Sequence, residues 1–385
     1  MKINNALANL GLLFASLIFT FIILEVLVRI FFPAPRSPNV FDPVIGYKYR
    51  PNSEVSFFVQ GKEVKNKVNS IGFLDENHSF EKPGETYRVV FIGDSYVEST
   101  NVLRENTFPK IFEREMNEVF SSRVKSIRVN FEAINLGMNG FGTAHEYLTL
   151  KEYGLKFSPD LVILVFSDND LMNNFAGFTT NIDPAFDIIE GRLQQVRFPT
   201  PLKGGGFREF VSSNFQLPRF LVQKLSKISF FRNFFTDLNL ISAVKEREGE
   251  AIPFSYKMYS PEFQKDTERQ WEITKALISQ TKSVAEESGA LFKVVLLASK
   301  ENKKEKEDLL KTYPGLKSVD FYIPQKILSR YFEEQGINYV DMRPYVSETE
   351  EPLNYPVEDG GHYNLAGHRL VAKAILDYIE WKSGH

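Results

Sequence analysis

Apolar and polar positions divide the chain into three regimes. Residues 3–24 carry no charge and are mostly Leu, Phe, Ile and Ala. About 20 apolar residues cross a bilayer as a helix, so this stretch predicts a membrane-spanning helix, ended by Pro33 and Pro35. From Pro33 to Glu85 short apolar runs are broken by Pro, Asn, Gly and charge. That predicts an extended arm with a small hairpin, strands 55–59 and 63–68 around Gly61. From Thr86 apolar runs alternate with helical periodicity. Strands are expected at 89–92, 127–134, 161–166, 291–297 and 337–341. Continuous apolar runs suit strands covered on both faces. Helices are expected from Thr107-Phe108-Pro109, from a Thr143-Ala144-His145-Glu146 capping box to Gly154, over 260–289, over 324–335 and over 365–381. This alternation predicts an α/β domain with a parallel, doubly wound sheet.

The rhythm breaks at 172–259. This stretch holds Gly204-Gly205-Gly206 and many Phe residues, and it follows the third strand. It reads as an insertion or lid, or as a helical subdomain burying its own aromatics. The expected organisation is an anchor (1–32), an arm (33–85) and a catalytic domain (86–385) holding that insertion.

Composition narrows the chemistry. The chain has 385 residues, 43% hydrophobic and 25% charged, with net charge -3. That is ordinary for a globular protein and lacks the basic footprint of nucleic-acid binding, so no nucleic-acid partner is expected. The absence of Cys excludes disulfides, a thiol nucleophile and thiolate zinc sites. The apolar stretch exceeds a signal-peptide core and no small-x-small cleavage site precedes Pro33, which favours an uncleaved anchor. Lys2 lies on one side of it; Arg29, Arg36, Lys48 and Arg50 lie on the other. The charge rule is therefore ambiguous or adverse. The short tail before the helix favours a single-pass protein with an exported domain, periplasmic or extracellular.

Four polar stretches fall at predicted strand-to-helix junctions, on one edge of the sheet. Gly93-Asp94-Ser95 follows the first strand and places a hydroxyl where α/β sheets bind ligands. Asn135-Leu136-Gly137-Met138-Asn139-Gly140 follows the second, with glycines that expose backbone N–H groups. Ser167-Asp168-Asn169-Asp170 follows the third, and Asn169 offers an amide donor. Asp359-Gly360-Gly361-His362 precedes the last helix, with Asp359 spaced to orient His362 as base for Ser95. His145 and His368 fall in or at the start of helices and read as structural.

These blocks, in this order, resemble the SGNH/GDSL hydrolase superfamily. The resemblance implies a flavodoxin-like three-layer α/β/α fold. It implies a Ser95 nucleophile with His362 and Asp359, and an oxyanion hole from the N–H groups of Ser95 and Gly140 plus the Asn169 amide. No metal and no cofactor are called for. Ser167 stands where the family usually has Gly, and Tyr96 where it often has an apolar residue. The anchor and Asn69-Ser70-Ile71-Gly72-Phe73 resemble bacterial membrane-anchored members linked to cell-surface polysaccharide acylation. The expected function is a serine esterase or O-acyl transferase on an acyl ester, of carbohydrate or lipid. Two other readings compete. Asp94, Asp168, Asp170 and Asp359 as a metal cluster would make a phosphoesterase. The same fold without turnover would make an assembly module.

Overall fold

The computed structural model describes residues 2–32, 38–123, 129–174, 179–201, 210–211, 214–226, 228–237, 252–300, 303–356 and 361–383. The chain forms two units: residues 1–38 with 201–246, and residues 39–200 with 247–385.

The larger unit is built on five parallel strands: β1 (Thr86–Gly93), β2 (Asn130–Asn135), β3 (Leu161–Phe166), β4 (Leu291–Leu296) and β5 (Tyr339–Asp341). Their spatial order is β2-β1-β3-β4-β5, the flavodoxin-like arrangement, with the direction of winding reversing at β1 and β3. Successive side chains leave a strand on opposite faces, and both faces here are apolar. Val90, Ile92, Val162, Leu164, Val294 and Leu296 point into one core. Val89, Phe91, Leu161, Ile163, Val165 and Val295 point into the other. Helices Thr143–Glu152, Gln264–Glu287 and Ile323–Gln335 cover the first core. Helices Phe108–Arg123 and Leu365–Ser383 cover the second. The three-layer α/β/α fold is the one the sequence pattern predicts.

Local departures have local causes. The helix at 143 is capped by Gly142, not by a Thr143–Glu146 box; His145 rather than Glu146 occupies the reciprocal position. Glu146 instead turns into the core. The helix ends at Glu152, just before Gly154 as expected, and Gly154 then opens a 3₁₀ turn, Gly154–Phe157. A Cβ there would meet Leu150 Cδ1 at 2.9 Å. Gly336 ends its helix as expected, at φ 62°.

The arm holds the expected hairpin, Glu54–Val59 with Lys62–Lys67, and an unexpected one, Asn39–Asp42 with Gly46–Tyr49. Asp42 closes the second, its Oδ1 accepting the N–H groups of Val44 and Ile45. Asn69 Oδ1 accepts from Ile71, Gly72 and Phe73 and seats Phe73 in the core. The insertion opens with a hairpin, Ala185–Ile189 with Arg192–Arg197, that the hydrophobic pattern does not announce.

The smaller unit joins helix Lys2–Phe31 to helices Gln216–Leu225 and Ser229–Asp237. Asn9–Phe31 is long and apolar enough to cross a membrane, with mean hydropathy 2.5. The Phe-rich half of the insertion thus belongs to the unit of the N-terminal helix.

Candidate active site

Ser95 owes its position to the turn that ends β1. A Cβ on Gly93 would lie 2.2 Å from Val97 Cγ2, so only glycine lets the chain fold back this tightly. Asp94 then caps the four-residue helix Ser95–Glu98 through Oδ1, which accepts the Tyr96 N–H at 2.9 Å. Ser95 opens that helix at the C-terminal end of β1.

His362 comes from the other end of the chain, and its Nε2 lies 2.7 Å from Ser95 Oγ. Its loop is clamped on both sides. Tyr355 N–H donates to the His362 carbonyl at 2.8 Å, and Asn354 Nδ2 to the Gly361 carbonyl at 2.7 Å. Asn364 Oδ1 accepts from Ala366 and Gly367 and so starts the final helix. Tyr96 packs against the His362 ring at 5.1 Å between centroids and against Tyr363 at 4.8 Å. Asp359 lies outside the described residues.

Gly140 sits at φ +81° on an exposed loop after β2. Two side chains hold the loop. Tyr47 Oη donates to the Asn139 carbonyl at 2.7 Å, and Asn173 Nδ2 to the Gly140 and Phe141 carbonyls at 3.3 and 3.1 Å. Among the described residues neither the Ser95 N–H nor the Gly140 N–H has an acceptor in the chain.

Asn169 is tied directly to the turn that holds Ser95. Its Nδ2 donates to Asp94 Oδ2 at 3.1 Å. An amide nitrogen carries two protons, so one N–H remains for a further acceptor. Ser167 Oγ lies 2.7 Å from the same Asp94 oxygen and 2.6 Å from Asn169 Oδ1, and shares its proton between them.

Buried carboxyls surround these groups. Burial raises Asp94, though the Ser167, Tyr96 and Asn169 donors and nearby His362 offset part of the effect. Asp168 is pushed up to about 7 by burial, against the lowering effect of its donors Tyr259 Oη and Gln325 Nε2, each at 2.9 Å. Glu98, beneath the Asn139 loop, is likewise pushed up to about 7 by burial; Tyr49 and the Asn139 N–H partly counter it. Burial holds Glu146 and Asp170 well above the usual carboxylate range, with Glu146 and Asp94 adding to the rise at Asp170. His368 is buried between Phe108 and Tyr363, and burial pushes its imidazole down to about 3, so it stays neutral.

The aspartates do not converge as metal ligands among the described residues. Asp94, Asp168 and Asp170 each spend oxygens on protein donors. The one cluster with metal-type spacing among those residues is Asp75, Glu76 and His78. Lys110 Nζ already fills it, 2.8 Å from Glu76 and 3.3 Å from Asp75.

The structure thus brings Ser95 and His362 together and ties Asn169 to the Ser95 turn through Asp94. Sequence reasoning missed Tyr47, Glu98, Tyr259 and Gln325. None carries a local signal, because each reaches the site through tertiary contact. Tyr96 stood out in the sequence only as a departure from the family pattern.

The chain is similar to three solved esterase-type structures. One is a lipolytic G-D-S-L-family protein from Veillonella parvula, at 10% identity over 76% of this chain and 97% of that one, with TM-score 0.37. Another is a catalytic mutant of an acetylxylan esterase from Geobacillus stearothermophilus, at 12% identity over 76% and 94%, TM-score 0.37. The third is a two-domain esterase active on acetylated mannans, at 14% identity over 78% and 50%, TM-score 0.38. No curated protein matches the chain. A sequence profile of GDSL-like lipases and acylhydrolases matches residues 89–375, a span that opens on the strand leading into Gly93-Asp94-Ser95 and reaches past His362 into the final helix. This chain belongs to the GDSL-like lipase/acylhydrolase family, whose members act on ester bonds.

Proposed function

We propose that this protein is a membrane-anchored serine esterase or O-acyl transferase acting on acylated carbohydrate or lipid at the cell surface. The observation that carries the reading is the 2.7 Å contact between Ser95 Oγ and His362 Nε2. A hydroxyl becomes a nucleophile when a base stands within hydrogen-bond reach. Ser95 Oγ attacks the acyl carbon while its proton passes to His362 Nε2. The oxyanion takes hydrogen bonds from the Ser95 and Gly140 N–H groups and from Asn169 Nδ2. As the intermediate collapses, His362 returns the proton to the departing alcohol, leaving acyl-Ser95. Water, or a sugar hydroxyl in the transferase case, then attacks the acyl-serine with His362 again as base. Asp359, three residues before His362, is assigned to orient the imidazole. The helix Asn9–Phe31 is assigned as the anchor, with the catalytic unit exported.

The test uses the full chain in detergent with a fluorophosphonate probe and short- and long-chain nitrophenyl esters. Labelling at Ser95 with ester turnover supports the reading. Adding a sugar acceptor separates the two fates: acyl-sugar marks a transferase, free acid a hydrolase. Turnover by Ser95→Ala, or activity only with added divalent metal, would overturn it in favour of phosphoester chemistry.

A further inference from the structure

We infer that helices Gln216–Leu225 and Ser229–Asp237 are a second membrane contact, the first docked on the anchor by Glu25 and the second reaching the headgroup level of an anionic bilayer. The inference rests on the anchor reading of residues 9–31. Glu25 is an acid in an apolar helix, yet only 7% exposed. Its two oxygens accept the N–H groups of Gln216 and Leu217 at 2.8 and 2.7 Å. Arg29 donates to the same carboxylate at 2.7 Å and to the Asn214 carbonyl at 2.5 Å.

This arrangement solves a problem specific to lipid. The first N–H groups of a helix have no intrahelical acceptor, and no water reaches them at membrane depth. Glu25 lies about 9 Å inside the end of the apolar span, at about 1.5 Å per residue from Phe31. Its carboxylate supplies the missing acceptors there. The ring pairs Phe21–Phe215 at 5.4 Å and Phe32–Phe220 at 5.0 Å lay the second helix along the anchor's outer turns.

What faces outward suits the interface. Leu221, Ile228, Phe230 and Phe234 are 45%, 51%, 70% and 49% exposed. Phe230 and Phe234 are one helical turn apart and so share a face. From Gln216 to Asp237 the sequence holds four cations, Arg219, Lys224, Lys227 and Arg232, against one acid, Asp237. Exposed bulky apolar groups in a segment of net positive charge suit an anionic lipid surface. A bilayer is the occupant favoured over a second copy, because the span itself is part of this unit.

The chain has no Cys, so single cysteines can be placed cleanly. The full-length variants Phe230→Cys and Phe234→Cys carry an environment-sensitive fluorophore, in nanodiscs containing lipids spin-labelled near the headgroup. Phe58→Cys, on an exposed hairpin of the other unit, sets the background. Phe19→Cys, with lipids spin-labelled deep in the chain, reports the anchor. We expect at least twofold more quenching at 230 and 234 than at 58, and more in phosphatidylglycerol than in phosphatidylcholine. Quenching at 19 with only background at 230 and 234 would overturn the inference alone. Equal quenching in both lipids would overturn the anionic preference. Copy-to-copy disulfides at 230 without lipid quenching would assign the face to a dimer and overturn it. No quenching at 19 would overturn the anchor reading and the inference with it.

Discussion

Ser167 Oγ lies 2.7 Å from Asp94 Oδ2, so the junction after β3 is bonded to the turn that presents Ser95. Asn169 Nδ2 reaches the same oxygen. A hydroxyl where the family usually has glycine therefore gives Asp94 a second donor and Asn169 a second restraint. We expect Ser167→Ala to lower kcat with little change in KM. One net hydrogen bond is about 1 kcal/mol, or roughly fivefold in rate. Steady-state kinetics on a nitrophenyl ester check this; a change in KM alone would show that Ser167 acts on binding.

Ser95→Ala and His362→Ala should each lower kcat by on the order of a thousandfold or more, and the double variant little further, because the two act as one unit. Melting curves should stay near wild type, since neither side chain is part of the buried core. Asp359→Asn should lose rate, through the wrong imidazole tautomer, while Ser95 still takes up fluorophosphonate slowly. Full activity in that variant would remove Asp359 from the set.

Asn169→Ala should reduce kcat by about 100- to 1,000-fold, the usual effect of losing an oxyanion donor, with KM nearly unchanged. Tyr47→Phe removes the hydroxyl that holds the Asn139 carbonyl. We expect a smaller loss, again about 1 kcal/mol, because the N–H of Gly140 stays in place but is less well restrained. Equal effects from the two variants would mean that the loop, not the amide, carries the donor function.

Glu98→Gln tests the buried carboxyl under that loop. Folded Glu98 stays protonated up to about 7, whereas the unfolded residue ionises near its ordinary value of 4.5. Between those values the folded state binds more protons, so wild-type stability falls as pH rises and levels off above the folded value. The variant should show a flatter profile, equal to wild type near pH 4 and more stable near pH 8. The difference should be on the order of 3 kcal/mol at most. Denaturant titrations of both proteins across that range give the answer; a wild-type-minus-variant difference that stays constant from pH 5 to 7 would show Glu98 ionised in the fold.

Much of the sheet was legible because its strands are buried on both faces, which leaves unbroken apolar runs such as Leu161–Phe166. The blocks at the strand ends were legible for the same reason: the runs stop abruptly at Gly93, Asn135 and Ser167. The hairpins show where legibility fails. Gln60-Gly61 and Glu190-Gly191 adopt the same turn, with φ 50° and 72° in one and 50° and 74° in the other. Only the first is visible in the sequence. Strand Arg192–Arg197 alternates exposed and half-buried positions, with Leu193 and Val196 isolated among polar residues, so no apolar run announces it. The contact of Tyr47 with the Gly140 loop spans 92 residues and has no local trace. Glu25 is the sharpest case: in sequence it is the partner of Arg29, and only the fold shows it capping a helix about 190 residues away.

With His362 as the proposed base, its clamp also sets when activity appears. Ser95 and His362 are 267 residues apart. The base is seated by Asn354, Tyr355 and the helix that begins at Leu365. A nascent chain presents Ser95 early, just past β1, but without His362 beside it. Hydrolysis waits on a very long-range closure in the larger unit, the slowest kind of contact to form. On the proposed mechanism the acyl-cleaving activity switches on only after synthesis has passed His362 and its helix has docked, and every shorter ribosome-bound intermediate is inert toward the esters around it.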